Sequence, residues 1–145
     1  MHVEAILHRK GHEVAMIRSE TTVTEALQAL AEHQVGALIV SDDGETIAGI
    51  LSERDIVRGL ARAGADLLAE PLSAIMTTEV HTCSADDTVA HLMAEMTGGR
   101  FRHLPVVDDA GKVVGIVSIG DVVKERLGEL EDEANTLKDY VRQGR

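Results

Sequence analysis

One short pattern, present twice, carries the strongest chemical signal in the sequence. Gly49-Ile50-Leu51-Ser52-Glu53-Arg54-Asp55 returns as Gly115-Ile116-Val117-Ser118-Ile119-Gly120-Asp121, each position 66 residues on. Apolar residues lead into the serine as a strand, and a helix opens at or just after it. Serine and aspartate three apart then share one face of the first helical turn. A carboxylate there can accept hydrogen bonds from two vicinal hydroxyls, as on a ribose. The serine hydroxyl and the free N–H groups of the helix start suit a phosphate. The same residues also have an ordinary use, with Ser52 and Ser118 as N-caps and Asp55 and Asp121 stabilising the first turn. Their retention in both copies favours the binding role.

Basic residues cluster near these motifs. Arg54 and Arg58 follow the first, Arg100 and Arg102 precede the strand at Leu104, and Lys10 precedes the first extended segment. An anion in so acidic a protein needs such local compensation, although each residue taken singly also reads as solvated surface. His91 and Glu95 lie at i, i+4, and His81 lies two before Cys83, but neither pair brings the further ligands of a zinc site, so no metal is expected. The Gly-x-Ser-x-Gly elbow of serine hydrolases is absent. So are the Gly-x-x-x-x-Gly-Lys-[Ser/Thr] loop and the Gly-x-Gly-x-x-Gly turn, the usual cradles for a nucleotide. No nucleophile paired with a base emerges, and the chain is not expected to be an enzyme.

The elements that position these residues must fit in 145 residues, enough for one compact domain or two very small ones. Hydrophobic residues at 44% and charged residues at 27% describe a chain with a folded core. The formal net charge is −11, the wrong sign for a general nucleic-acid binder or for docking on anionic lipid. Phe101 and Tyr140 are the only aromatics, too few for stacked single-strand platforms. A single cysteine, Cys83, cannot form an intrachain disulfide. No run approaches the roughly 20 apolar residues of a membrane span. Met1-His2-Val3-Glu4 opens with an early acid and no apolar run, so a secretory signal is not expected. A soluble, cytoplasmic protein is the default expectation.

The 66-residue offset extends beyond the motif. Glu13-Val14 meets Glu79-Val80, Thr22-Val23 meets Thr88-Val89, Leu38 meets Leu104, Val40 meets Val106, Asp42-Asp43 meets Asp108-Asp109, and Val57 meets Val123. Two copies of one supersecondary unit follow, each too small to bury much surface alone and so expected to pack on the other. Each copy reads as β-α-β-β-α. An extended piece (Val14–Ile17; Val80–Cys83) precedes a helix capped by Thr22 or Thr88. Glu25 completes a capping-box pattern in the first copy, and Asp86 and Asp87 favour the helix start in the second. A hairpin follows (Ala37–Val40, Asp42-Asp43-Gly44, Ile47–Leu51; Leu104–Val107, Asp108–Gly111, Val113–Val117), apolar enough to suggest burial on both faces. The expected divisions are 1–63 for the first copy with its N-terminal segment, 64–74 for a linker, 75–126 for the second copy and 127–145 for a C-terminal helix. In that helix Leu127, Leu130, Ala134, Leu137 and Val141 form a heptad-like seam, suited to its own domain or to a dimer mate.

With this pattern assembled, the chain closely resembles the CBS domain. The two copies resemble a CBS pair, or Bateman module, over about residues 8–130. Lys10-Gly11-His12-Glu13-Val14, Val35-Gly36-Ala37-Leu38, Ser52-Glu53-Arg54-Asp55, Ile75-Met76-Thr77 and Arg102-His103-Leu104-Pro105-Val106-Val107 carry the resemblance. Ser118-Ile119-Gly120-Asp121 is similar to stand-alone bacterial CBS-pair proteins. The implied fold is α/β (α+β), two CBS units packed about a pseudo-two-fold axis, plus a C-terminal helix.

The resemblance implies an adenosyl ligand in the clefts between the copies: AMP, ADP, ATP or NAD(H), with S-adenosylmethionine ranked behind. Asp55 and Asp121 would hold ribose hydroxyls, and Ser52 and Ser118 ribose or phosphate. The extended pieces, with Ile17 in the first and Thr82 and Cys83 in the second, and the strand starts Gly36-Ala37-Leu38 and His103-Leu104-Pro105, would line adenine. Arg54, Arg100 and Arg102 would meet phosphate. Arg102 and His103 stand where the first copy has Gly36 and Ala37, which makes the second cleft, with Ser118 and Asp121, the favoured site. A homodimer and a separate regulated protein complete the expectation. A regulatory sensor is thus weighed against a dimerisation scaffold whose clefts bind nothing.

Overall fold

The computed structural model describes residues 1–99 and 101–144. The first repeat contains β1 (Met16–Ile17), α2 (Val23–His33), β2 (Ala37–Val40), β3 (Gly49–Ser52) and α3 (Glu53–Ala63). The second contains α4 (Val89–Gly99), β4 (His103–Val107), β5 (Val113–Ser118) and α5 (Ile119–Gln143). Helix α1 (Val3–Lys10) precedes both, and two short 3₁₀ helices, Gly64–Ala69 and Leu72–Ala74, lie between them.

In the first repeat β1 runs parallel to β2, and β2 is antiparallel to β3 with Ala37 opposite Ser52. In the second, β4 is antiparallel to β5 with His103 opposite Ser118. Cys83 makes a parallel bridge to Val106, where β1 pairs in the first repeat. Thr22 Oγ1 accepts the Glu25 N–H at 3.2 Å and Thr88 Oγ1 accepts the His91 N–H at 3.1 Å, so both expected caps form. In the first hairpin Asp43 accepts from Glu45 N–H, Thr46 N–H and the Thr46 hydroxyl. These bonds hold residues 45 and 46 in the loop and start β3 at Gly49, two residues later than the apolar run suggests.

Burial on both faces is confined to the inner strands. All four residues of β2 and the middle three of β4 are buried, whereas β3 and β5 turn Leu51 and Val117 inward and leave Ile50, Ser52, Ile116 and Ser118 partly exposed. Thr77, from the segment preceding the second repeat, bridges Ile50 of β3, and Leu7, from the segment preceding the first, reaches Gly115 of β5.

Those segments exchange places. Val3, Ile6 and Leu7 of α1, at most 1% exposed, pack with Val89, Leu92, Leu104 and Val117 in the core of the second repeat. Leu67 and Leu72, from between the repeats, pack with Val23, Leu38 and Leu51 in the core of the first. The backbone joins match: Val3 N–H donates to Asp87 O (2.9 Å) and Val89 N–H to Met1 O (3.0 Å), while Leu72 N–H donates to Thr21 O (2.8 Å) and Val23 N–H to Glu70 O (2.9 Å). Helix α1 escapes sequence inspection because its apolar stripe spans barely two turns and His2 makes no side-chain cap bond.

This crossing explains the motif glycines. A Cβ at Gly49 would lie 2.8 Å from Thr77 O and 2.9 Å from Met76 Sδ, and one at Gly115 would lie 2.6 Å from Leu7 Cδ2. Each glycine therefore admits the segment that crosses from the other repeat.

Helix α5 continues without a break through residue 127. Its apolar seam is not covered by its own domain: Leu127, Leu130, Leu137 and Val141 are exposed, and so is every described residue after Leu130.

Candidate functional site

Ser52 and Asp55 stand where β3 runs into α3, and they form a reciprocal capping box. Ser52 Oγ accepts the Asp55 N–H at 3.3 Å, and Asp55 Oδ2 accepts the Ser52 N–H at 3.0 Å. Oδ1 of Asp55 takes a long 3.4 Å bond from the Thr77 hydroxyl, which leaves acceptor capacity toward the adjoining space. The capping role and an exposed carboxylate edge therefore coexist.

That space is a cleft of about 300 Å³ walled by both repeats. Gly36, Ile50, Ser52, Glu53, Arg54, Asp55 and Arg58 come from the first, and Thr77, Glu79, Val80, His81, Phe101, Arg102 and His103 from the second. Three arginines, Arg54, Arg58 and Arg102, thus share the lining with the Ser52–Asp55 pair and with Glu53 and Glu79, a residue set that can address a diol and an anion together. The rings of His81 and Phe101 stack with centroids 4.6 Å apart and 13° between planes, which gives the wall a flat aromatic component. Gly36 leaves room for His103, whose Cε1 would lie 3.3 Å from a Cβ there. Burial, reinforced by Lys10 and Arg102, pulls the His103 pKa below its ordinary value against the opposing pull of Asp121 and Glu53. This favours the neutral imidazole, which can both donate and accept.

The second motif is built alike and occupied differently. Ser118 Oγ accepts the Asp121 N–H at 3.2 Å and Asp121 Oδ2 accepts the Ser118 N–H at 2.9 Å. The same Oδ2 also receives Lys10 Nζ at 2.6 Å, and Nζ donates to Ile116 O at 2.9 Å as well. Burial disfavours the Asp121 charge, but the Lys10 ammonium and the Ser118 N–H and hydroxyl outweigh it and hold the carboxyl below its usual range. Ser118 and Asp121 line neither the cleft above nor a shallower hollow beside α2.

Of the residues singled out from sequence, Gly36, Ser52, Arg54, Asp55, Arg102 and His103 come together in one cleft. The sequence expectation sets Arg102 and His103 at the second cleft, beside Ser118 and Asp121. Their backbones flank Ser118, as the Arg102 carbonyl accepts the Ile119 N–H at 2.7 Å, yet both residues line the cleft of the first motif. Ala37, Leu38, Leu104 and Pro105 are buried, Ile17 packs against the first core, and Thr82 is exposed outside the cleft. Cys83 is 4% exposed in the second core, and burial, aided by Asp87 and Glu95, pushes its thiol up to about 12, so it is no thiolate. Arg100 lies outside the described residues. Thr77, Glu79, Val80, His81 and Phe101 escaped sequence reasoning. The one available signal was that the only phenylalanine stands directly before Arg102-His103 at the strand start. Among the described residues no cluster of His, Cys, Asp and Glu is poised to hold a metal ion, and no helix is long and apolar enough to cross a membrane.

Comparison with known proteins agrees with this architecture. The family model for the CBS domain matches residues 3–62 and again 72–128. A crystal structure of the CBS-domain containing protein ATU1752 from Agrobacterium tumefaciens is similar at 42% identity and TM-score 0.84, over 87% of this chain and 99% of that one. The CBS domain pair of protein MJ0100, in complex with 5′-methylthioadenosine and S-adenosyl-L-methionine, is similar at 29% identity and TM-score 0.78, over 89% and 98%. The CBS domain protein PAE2072 from Pyrobaculum aerophilum, complexed with AMP, is similar at 28% identity and TM-score 0.77, over 90% and 97%. Among curated relatives, the chain spans 63% of the length of one that it matches at 37% identity, and only 22% of another.

Proposed function

The chain belongs to the CBS domain family, as a tandem pair, and from that premise we propose that it is a regulatory module that binds an adenosyl ligand in the cleft of Ser52 and Asp55. One observation carries the reading: a cleft of about 300 Å³ between the repeats sets the open edge of Asp55 among Arg54, Arg58 and Arg102. In this reading Asp55 accepts from the ribose diol, the base lies against the His81–Phe101 face, and the arginines meet the phosphate. Similar pairs complexed with AMP and with S-adenosyl-L-methionine support the ligand class. AMP, ATP and NAD(H) share the adenosine and α-phosphate that this cleft addresses. The regulatory step is a shift in how the two repeats pack, driven by different ligand affinity for the two arrangements and passed to a partner protein. A homodimer belongs to the same proposal, with the uncovered seam of α5 as its natural contact.

The test is thermal unfolding with AMP, ATP, NAD, NADH and S-adenosylmethionine in turn. A ligand at about 100 times its Kd adds ~2.7 kcal/mol, and each kcal/mol raises the midpoint of a chain this size by about 2–4 °C. At least one ligand is expected to give several degrees, and Asp55→Asn, which keeps shape and removes charge, is expected to abolish the shift. No shift with any ligand, for protein shown to carry none from purification, would replace the sensor by a dimerisation scaffold.

A further inference from the structure

Helix α5 carries two stripes with different surroundings. Val122, Glu125 and Glu129 turn toward their own chain: Val122 lies in the second core, Glu125 pairs with Arg9, and Glu129 with the Met1 ammonium and Arg126. Val123, Leu127, Leu130, Ala134, Leu137 and Val141 step by four and three along another face, and all six are exposed. From residue 131 to its end at Gln143 the helix rises about 20 Å with every residue exposed. A helical stretch of that length is marginal in water without a partner.

The charges beside the seam say which partner fits and which way it runs. Leu127, Ala134 and Val141 occupy heptad positions a, and Val123, Leu130 and Leu137 positions d. Arg126 and Glu133 then fall at g, and Lys124, Glu131 and Lys138 at e. In a parallel, in-register pair each g residue faces the e residue five positions on in the other helix. Arg126 meets the partner's Glu131 and Glu133 meets the partner's Lys138, each pair formed twice. Arg126 spends one guanidinium N–H on Glu129 and keeps others free to donate. The antiparallel register that covers the same seam, with Val123 opposite Val141, sets Glu131 and Glu133 each against its own copy and Lys124 against Lys138.

We propose that the occupant of the α5 seam is a second copy of this chain, in a parallel, in-register coiled coil from Val123 to Val141 whose direction is set by Glu133 and Lys138. This rests on the homodimer in the reading above and adds its polarity and register. The apolar seam supplies the attraction, and the flanking charges select among directions by penalising the antiparallel one. The two modules then sit at the same end of the coil, related by a two-fold axis along it.

Sedimentation equilibrium tests this on the natural chain, Lys138→Glu, Glu133→Lys and the Glu133→Lys/Lys138→Glu double exchange, with far-ultraviolet dichroism to verify folding. The natural chain is expected to be a dimer. Each single change should raise its Kd roughly tenfold, and the double exchange should return it close to the natural value. Under oxidation Leu137→Cys, on the seam, should form a linked dimer, and Asp132→Cys, on the outer face, should not. Cys83 is 4% exposed, so the natural chain should stay unlinked. Tighter pairing of Lys138→Glu, which meets Lys124 only in the antiparallel register, overturns the parallel direction and leaves the homodimer standing. So does a mixture in which Leu127→Cys links to Leu137→Cys while neither links to itself. A dimer indifferent to every charge change and unlinked at position 137 overturns the coiled coil alone and moves the interface elsewhere. A natural chain that is monomeric at all concentrations overturns both and assigns the seam to a different protein.

Discussion

Lys10 and Asp121, 111 residues apart in the chain, meet at 2.6 Å and tie the segment before the first repeat to the motif of the second. The pair is about one-third exposed, so it contributes roughly 0.5–1 kcal/mol at neutral pH. The folded carboxyl lies below its usual range. The contribution is therefore fully present above the unfolded value of about 3.9 and is lost as pH falls through the lower folded value. The stability gap between the natural chain and Lys10→Met, from urea titrations, should be constant from pH 7 to 5 and close below about pH 4. A gap that widens on acidification would contradict the pairing.

His103 gives a second acid sensitivity, of the same sign but at higher pH. Burial, with Lys10 and Arg102, lowers its pKa, while Asp121 and Glu53 pull the other way. The unfolded chain therefore takes up the proton first as pH drops below about 6.5, and stability falls with it. His103→Gln is expected to flatten the stability profile between pH 7 and 5. An NMR titration of the His103 imidazole at or above its ordinary value would refute this.

Gly49 and Gly115 should respond unequally to an added methyl group. At Gly49 the Cβ would meet backbone, Thr77 O at 2.8 Å, which cannot swing away, whereas at Gly115 it meets the end of the flexible Leu7 side chain. Gly49→Ala is expected to cost about 1–3 kcal/mol and Gly115→Ala distinctly less in chemical denaturation. Equal costs would show that backbone crowding by the crossing segment is not the cause.

Leu7 tests which repeat owns α1. Leu7→Ala removes a side chain 1% exposed and should cost about 2–5 kcal/mol. In native-state hydrogen exchange the amides of α4, β4 and β5 should open, while those of β2 and β3 keep their protection. Preferential loss in β2 and β3 would place α1 on the other repeat.

The outer part of α5 should be dispensable for the fold of one chain and needed for its pairing. Leu137 and Tyr140 are 63% and 73% exposed. Removal of residues 131–145 is expected to leave the ligand-induced midpoint shift intact. Light scattering should then report a monomer in place of a dimer. A truncated chain that remains dimeric moves the interface elsewhere.

Much of the fold was legible because its signals are local. The 66-residue offset, the Thr22 and Thr88 caps, the hairpins and the Ser-x-x-Asp junctions each depend on a few neighbouring residues and on backbone preferences that act wherever the pattern occurs. The motif glycines were legible as motif members, and only the crossing chain at Gly49 and Gly115 explains why a side chain is excluded there. The site was half legible. Ser52 and Asp55 come from a repeated string, whereas His81, Phe101 and Glu79 belong to it only because the second repeat folds against the first.

By itself the sequence determined two copies of one β-α-β-β-α unit and the carboxylate and hydroxyl that each sets at a helix start. The tertiary structure decided which copy each connecting segment serves. Two repeats of one fold offer the segments of Lys10 and Thr77 similar strands to cross, and the choice is made by burial of Leu7 in one core and Leu72 in the other. That choice gives Asp55 Oδ1 a long bond from Thr77 in a cleft that Arg54, Arg58 and Arg102 also line, and sets the Lys10 ammonium on Asp121 Oδ2. Two motifs with one local geometry thus differ through neighbours that sequence distance keeps out of view.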